Sequence, residues 1–303
     1  MTIATAKGPT YRLNNGIEIP AFGLGVFHSE PEETISAVSS AITEGYRLID
    51  TAAIYKNEQQ VGEGIRSTDI SREEIFVTTK LWMTDYGYDQ TFRAFDLSLY
   101  KLGLDFLDLY LIHWPVPSDF GSTVSSYRAA MKLLADGRVR AIGVCNFSSN
   151  DLNKLIEQTD HTPAVNQVEL HPFFSQRELR DANQRHGIVT QAWSPIGGVN
   201  RYGMKASREG VRDPLAHPTL TSLAKKYGKT PAQIVLRWQI ELGTSPIPKS
   251  VRPGRIAENI DVFDFSLAMQ EVQAISALNT GERGGPDPDK VSPETFAAAS
   301  THD

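Results

Sequence analysis

Four residues in the first half of the chain carry side chains able to share one reaction: Asp50, Tyr55, Lys80 and His113. A lysine in an apolar setting is costly unless a carboxylate accompanies it, and Asp50 can supply that charge. A lysine ammonium beside a phenol favours the phenolate and lowers the phenol pKa from its reference of about 10. A tyrosine tuned in that way is a general acid usable near neutral pH. A histidine alongside can hydrogen-bond the same substrate oxygen. Together the four would polarise a carbonyl group and deliver a proton to it. None of them carries a hydride, so reduction at that carbon would need a cofactor. Each residue alone has an ordinary explanation: a turn aspartate, a packed ring, a solvated lysine, a structural histidine. Convergence in space is what separates the two readings.

The elements that must bring them together are legible as a rhythm. Short β-rich runs alternate with helical stretches from about residue 21 to residue 260. The spacing predicts strands at Phe22–Val26, Leu48–Asp50, Ile75–Lys80, Leu107–His113, Val139–Val144, Ala164–Glu169, Val189–Trp193 and Thr244–Pro246. Between or after them come helices at Glu32–Glu44, Glu58–Arg66, Gln90–Leu102, Thr123–Asp136, Asp151–Gln158, Arg177–His186, Pro231–Leu242 and Pro253–Ile260. Their apolar residues recur at helical steps, as in Ala37, Val38, Ala41 and Ile42. Ser149, Ser175 (with Glu178) and Thr230 (with Pro231) are the expected caps. Strands alternating with helices imply parallel pairing through crossovers. Eight such units favour a closed (β/α)8 TIM barrel, an α/β fold, over an open doubly wound sheet. In such a barrel the active groups lie at the C-terminal ends of the strands, where Asp50, Lys80 and His113 fall.

Three segments stand outside the repeat. Thr10–Pro20 holds Asn15-Gly16 between two extended pieces, which predicts a β-hairpin plugging one barrel end. Gly197–His217 is long, polar and Gly-rich and reads as a functional loop. The Gly- and Pro-dense segment 280–290 reads as a tail or as a substrate loop folded over a site. All 303 residues are expected to form one barrel domain, with about nine residues at the N-terminus and fifteen at the C-terminus flexible.

Bulk properties narrow the setting. A content of 40% hydrophobic and 22% charged residues is that of a globular protein with a full core. A formal charge of −6, without clustered Lys and Arg, argues against a nucleic-acid partner. No apolar run approaches ~18 residues, and the start MTIATAKGPTYRL lacks a signal-peptide core. Cys145 is the single cysteine, so no internal disulfide forms. That fits a reducing cytoplasm. No residue pattern suggests a metal site.

A nicotinamide has no Rossmann fingerprint to bind, because the Gly23-Leu24-Gly25 run is followed by His28 where a third glycine belongs. The barrel offers another place. Loops after the last two strands commonly bind phosphate, and here they carry Lys249, Ser250, Arg252 and Arg255, the last opening a helix. Trp193 is placed to stack on a ring.

These residues resemble the aldo-keto reductase family. The run Asp50-Thr51-Ala52-Ala53-Ile54-Tyr55-Lys56-Asn57-Glu58 resembles the family signature. So do Leu109–Pro115, Gly143–Phe147, Asn166–Glu169, and Ile247–Ser250 with Arg255, Glu258 and Asn259. They fall in the family order across residues 10–285. The resemblance implies a frequently monomeric carbonyl reductase that prefers NADPH to NADH. In that family pattern Tyr55 is the acid, Lys80 and Asp50 tune it, and His113 orients the carbonyl. Asn146 and Gln167 hold the nicotinamide amide beside Trp193 and Ser194. Lys249, Ser250 and Arg255 take the 2′-phosphate, with Glu258 and Asn259 near the adenine. Phe27, Ile54, Trp82 and Trp114, with the loop around Arg283, line a pocket for aldehydes, diketones or small keto sugars. Trp193 and the Gly-Pro-Asp-Pro-Asp stretch at 285–289 are similar to the bacterial 2,5-diketo-D-gluconate reductase branch. Cys145 stands where many members have Ser, which leaves only a weak hydrogen bond there. Two other uses of such residues are an NADPH-binding regulatory module with little turnover and a Schiff-base enzyme acting through Lys80.

Overall fold

The computed structural model describes residues 5–197 and 213–300, with side chains as far as Phe296 at that end. Ten strands and eleven α-helices are present in the described residues. Strands β1 (Thr10–Arg12) and β2 (Glu18–Pro20) form the expected antiparallel hairpin, with Tyr11 opposite Ile19. Eight parallel strands follow: β3 (Leu24–Gly25), β4 (Leu48–Asp50), β5 (Phe76–Leu81), β6 (Leu107–Ile112), β7 (Val139–Cys145), β8 (Val165–Glu169), β9 (Val189–Trp193) and β10 (Ser245–Pro246). Each pairs with its sequence neighbour. The ring closes where Gly23 and Gly25 N–H groups donate to the Pro246 and Pro248 carbonyls, at 3.1 and 3.2 Å. Gly25 is required there, since a Cβ would stand 2.9 Å from the Ile247 carbonyl oxygen.

The helices are α1 (Pro31–Thr43), α2 (Glu58–Arg66), α3 (Tyr88–Leu102), α4 (Phe120–Ala135), α5 (Ser149–Thr159), α6 (Arg177–Arg185), α7 (Pro218–Tyr227), α8 (Pro231–Glu241), α9 (Pro253–Ile260), α10 (Met269–Ser276) and α11 (Pro293–Ser300). All eight expected helices form. Thr230 caps α8 in a capping box with Gln233. Two caps differ from expectation. Ser148, not Ser149, caps α5, because its hydroxyl accepts from the Asp151 N–H while Asp151 answers the Ser148 N–H. Ser175 does not cap α6. Its N–H donates to Asn279, and left-handed Gln176 takes the cap position with its amide bound to the Glu169 carbonyl. Helices α7, α10 and α11 were not expected; α11 falls within the fifteen C-terminal residues expected to be flexible. Segment 280–290 has only one short 3₁₀ turn, Pro288–Lys290. The polar loop expected at Gly197–His217 lies mainly outside the described residues.

Strand alternation sorts the side chains. Leu48, Phe76, Leu109, Ala141 and Val165 face into the barrel and pack on Leu13 and Ile19 of the hairpin. The hairpin therefore seals the N-terminal end, where Asn15 and Asn14 amides donate to the carbonyls of Arg140 and Pro163. Ile49, Val77, Tyr110, Ile142 and Val144 belong to the outer cluster, against Ala37, Val38, Ala41 and Ile42 of α1 and other helices. Further along the inward rows come Asp50 and Gln167, two residues past Leu48 and Val165, Gln191, two past Val189, and Lys80, four past Phe76. The same alternation that builds an apolar floor thus delivers polar groups to the mouth.

Candidate active site

Asp50 and Lys80 meet inside the barrel. Lys80 Nζ lies 2.5 Å from Asp50 Oδ1 and 2.8 Å from the Thr51 carbonyl. Lys80 has no exposed surface and Asp50 only 2%. Asp50 Oδ2 accepts from Gln167 Nε2 at 2.7 Å, and that nitrogen also reaches Gln191 Oε1 at 2.7 Å. Burial pushes the Asp50 carboxyl upward, opposed by the Lys80 charge and the Lys80 and Gln167 hydrogen bonds.

Tyr55 ends a 3₁₀ turn, Ala53–Tyr55, just beyond β4. Left-handed Lys56, with φ of 57°, terminates the turn. Asn57 anchors it, accepting from the Thr51 hydroxyl and donating to the Val26 carbonyl. The Tyr55 hydroxyl therefore sits 3.5 Å from Lys80 Nζ. His113 extends β6, its N–H donating to the Leu81 carbonyl. Its ring lies edge-on to Tyr55, centroids 5.9 Å apart. Burial, helped by the Lys80 charge, holds the imidazole well below its usual pKa, so it is neutral. Its Nδ1 is buried without a hydrogen-bond partner in the described residues. All four expected groups share one rim.

Residues expected near a cofactor divide into two sets. Asn146, left-handed at the end of β7, donates to the His113 carbonyl and accepts from Trp193 Nε1 at 2.9 Å. That bond fixes the Trp193 indole at the mouth. Gln167 is turned toward Asp50, its Nε2 already engaged by two acceptors. Ser194 follows in a left-handed conformation. Across the mouth, Lys249 Nζ donates to the His28 carbonyl, and the Ser250 hydroxyl accepts from the Arg252 N–H. These residues lead into α9, on whose first turn Arg255 is exposed. A helix N-terminus with these cations suits a phosphate group. Asn259 is buried on the same helix. Glu258 accepts from the Thr230 hydroxyl, which ties α9 to α8. The donor set fits a phosphorylated dinucleotide.

The expected pocket residues also gather. Trp82 and Trp114 cluster with Met83, Val116 and Val291, and Ile54 and Phe296 pack against them. Phe27 meets the Tyr55 ring at 4.8 Å, and Trp82 meets His113 at 5.1 Å. Arg283 lies over Phe174 at 4.8 Å and 4.0 Å from Glu169. Val291 and Phe296 were missed from the sequence because they come from the C-terminal end, far along the chain. Gln191 and the Thr51 carbonyl were missed as well. Cys145 is buried among apolar neighbours, which raises its thiol pKa. Among the described residues, no three His, Cys, Asp or Glu side chains could hold a metal ion. No described helix is long and apolar enough to cross a membrane.

A polar cluster at the C-terminal mouth of a parallel barrel is the arrangement of a barrel enzyme. The aldo/keto reductase family model matches residues 21–280, and the chain belongs to that family. It is 54% identical to morphine 6-dehydrogenase of Pseudomonas putida, over 96% of this chain and 98% of that one. It is 46% identical to methylglyoxal reductase DkgA of Escherichia coli K12, over 94% and 98%. A crystal structure of a Bombyx mori aldo-keto reductase in complex with NADP superposes with a TM-score of 0.85, at 39% identity, over 94% and 97%. The bacterial relatives agree with the branch that the sequence resembles.

Proposed function

We propose that the protein reduces aldehyde and ketone carbonyls, in dicarbonyls, keto sugars or similar small molecules, to alcohols with NADPH. The observation that carries this reading is the meeting of Tyr55, Lys80, Asp50 and His113 at one rim. NADPH, when bound, supplies the hydride that no side chain carries. Tyr55 gives its hydroxyl proton to the carbonyl oxygen. Lys80 stabilises the negative charge left on the phenol oxygen, and Asp50 pairs with Lys80 and holds it in place. The neutral His113 imidazole orients the same carbonyl oxygen. Asn146 and Gln167 would hold the carboxamide beside Trp193 and Ser194. Lys249, Ser250 and Arg255 would hold the 2′-phosphate, with Glu258 and Asn259 at the adenine end. Phe27, Ile54, Trp82 and Trp114 form an aromatic and aliphatic wall suited to a small carbonyl compound. The protein acts as a cytoplasmic monomer in this reading, which rests on the family resemblance.

The names of two relatives support the substrate class from different sides. One is a methylglyoxal reductase and the other a morphine dehydrogenase. The test therefore runs in both directions. NADPH oxidation is followed with methylglyoxal, an aromatic aldehyde, a diketone and a keto sugar acid. NADP+ reduction is followed with a polycyclic secondary alcohol. Turnover of any of them supports the reductase. Tight NADPH binding without turnover on the whole panel would favour the regulatory-module reading instead.

A further inference from the structure

Glu169 lies at the end of β8, beside the mouth, and has no role in the proton transfer. It has no exposed surface. A buried carboxylate needs donors, and the donors here come from far along the chain. The Gly284 N–H donates to Oε1 at 2.8 Å, and the Gly285 N–H donates to Oε2 at 3.0 Å. His171 Nε2 adds a third contact at 3.1 Å, and Arg283 stands 4.0 Å away. The segment is also fastened at its start. Thr280 and Gly281 N–H groups donate to the Phe173 carbonyl, and the Asn279 side chain accepts from the Ser175 N–H. Residues 279–285 are thus strapped to the rim, and the carboxylate is the latch.

The latch sets a distance. Gly285 lies so close to the Trp193 indole that a Cβ would be 2.4 Å from Cη2, and 3.2 Å from Glu169 Oε2. The indole is held from its other side by Asn146. Beyond the strap the chain delivers Val291 and Phe296 to Trp82 and Trp114, the wall of the mouth. We propose that Glu169 is a positioning residue: its carboxylate clasps the Gly284 and Gly285 amides, and the clasp sets the strap, and with it the substrate wall, against Trp193. The inference rests on the reductase reading of this mouth.

The test uses two variants that loosen the strap independently. Glu169→Gln removes the charge and sets an amide nitrogen against one of the two backbone donors. Gly285→Ala changes no barrel residue and sets a Cβ against the Trp193 indole, so that the strap must shift away from it. Both are compared with the wild type by carbonyl-substrate kinetics and by limited trypsin digestion. In each variant KM should rise about tenfold while kcat changes less than about threefold, the loss expected for a charge-assisted hydrogen bond used in positioning. Cleavage after Arg283 and Lys290 should accelerate, with other sites cut at the wild-type rate. Should Glu169→Gln fail to fold, cutting will rise everywhere and Gly285→Ala decides. Wild-type KM and wild-type cleavage in a folded Glu169→Gln, or in Gly285→Ala when that variant decides, would overturn the clasp. A wild type without turnover would sink the reductase reading, while the digestion would still judge the clasp.

Discussion

Replacing Lys80 with Met should expose how the barrel interior holds the Lys80–Asp50 ion pair at the mouth. The lysine has no exposed surface, and its ammonium is 2.5 Å from Asp50. Methionine keeps most of the volume but leaves Asp50 buried, with the Gln167 amide as a remaining donor. Such a carboxylate either stays charged at a cost of about 3–5 kcal/mol or takes up a proton. Protonation at pH 7, against a reference pKa of about 3.9, costs about 4 kcal/mol, so both routes give a similar figure. Urea denaturation should therefore show Lys80→Met less stable than wild type by about 4 kcal/mol at pH 7. The deficit should shrink by about 1.4 kcal/mol for each pH unit removed, because protonation becomes cheaper. Adding Asp50→Asn should return most of the stability, since no buried charge remains, without returning activity. A Lys80→Met deficit below about 1 kcal/mol, or one that ignores pH, would refute the reasoning.

Three further outcomes follow from the site. Tyr55→Phe should lower kcat by a factor of about 10² to 10⁴ with NADPH affinity nearly unchanged by fluorescence titration; full activity would remove Tyr55 as the acid. Arg255→Ala should weaken NADPH about tenfold and leave NADH alone, which binding titrations of both nucleotides decide. His113 has a pKa lowered by burial in the folded protein. Its neutral burial therefore costs nothing above the unfolded pKa of about 6.5, and stability is lost as pH falls below that value, by at most about 1.4 kcal/mol per unit. His113→Asn should flatten this acid limb in urea midpoints measured at pH 7.5 and 5.5, a comparison at about one unit either side of the reference.

Much of the barrel was readable because its strands are short, apolar and evenly spaced. Runs such as Leu107–Ile112 admit few other readings, and the capping box at Thr230 and Gln233 is local. The four reacting groups were readable because three of them terminate strands or nearly do. What escaped was decided by partners remote in sequence. Ser175 looked like a cap, but Gln176 and Asn279 compete for that turn. Helix α10 begins with exposed Met269 and buries little beyond Ile275, so its periodicity is faint. Glu169 looked like the last residue of a strand, since its two glycine donors lie 115 and 116 residues away. Gln191 needed Gln167 and the register of β8 on β9 to acquire a meaning.

The backbone carries a second pattern at the mouth that composition does not encode. Seven described non-glycine residues have positive φ, and six of them, His28, Lys56, Val116, Asn146, Gln176 and Ser194, follow barrel strands β3, β4, β6, β7, β8 and β9. Each such residue costs on the order of 1–2 kcal/mol. Val116, being β-branched, is the least suited of them. Strain of that size persists only where neighbours over-determine the conformation. Here they do: Asn146 is held by His113 and Trp193, Gln176 by Glu169, and the His28 carbonyl by Lys249. The groups that fix the strained turns are the ones assigned to cofactor and strap. The apolar floor and hairpin plug at the opposite end supply the stability against which this strain is set. Function and strain are therefore concentrated on one rim, and the ion pair of Lys80 and Asp50 lies where that rim meets the floor.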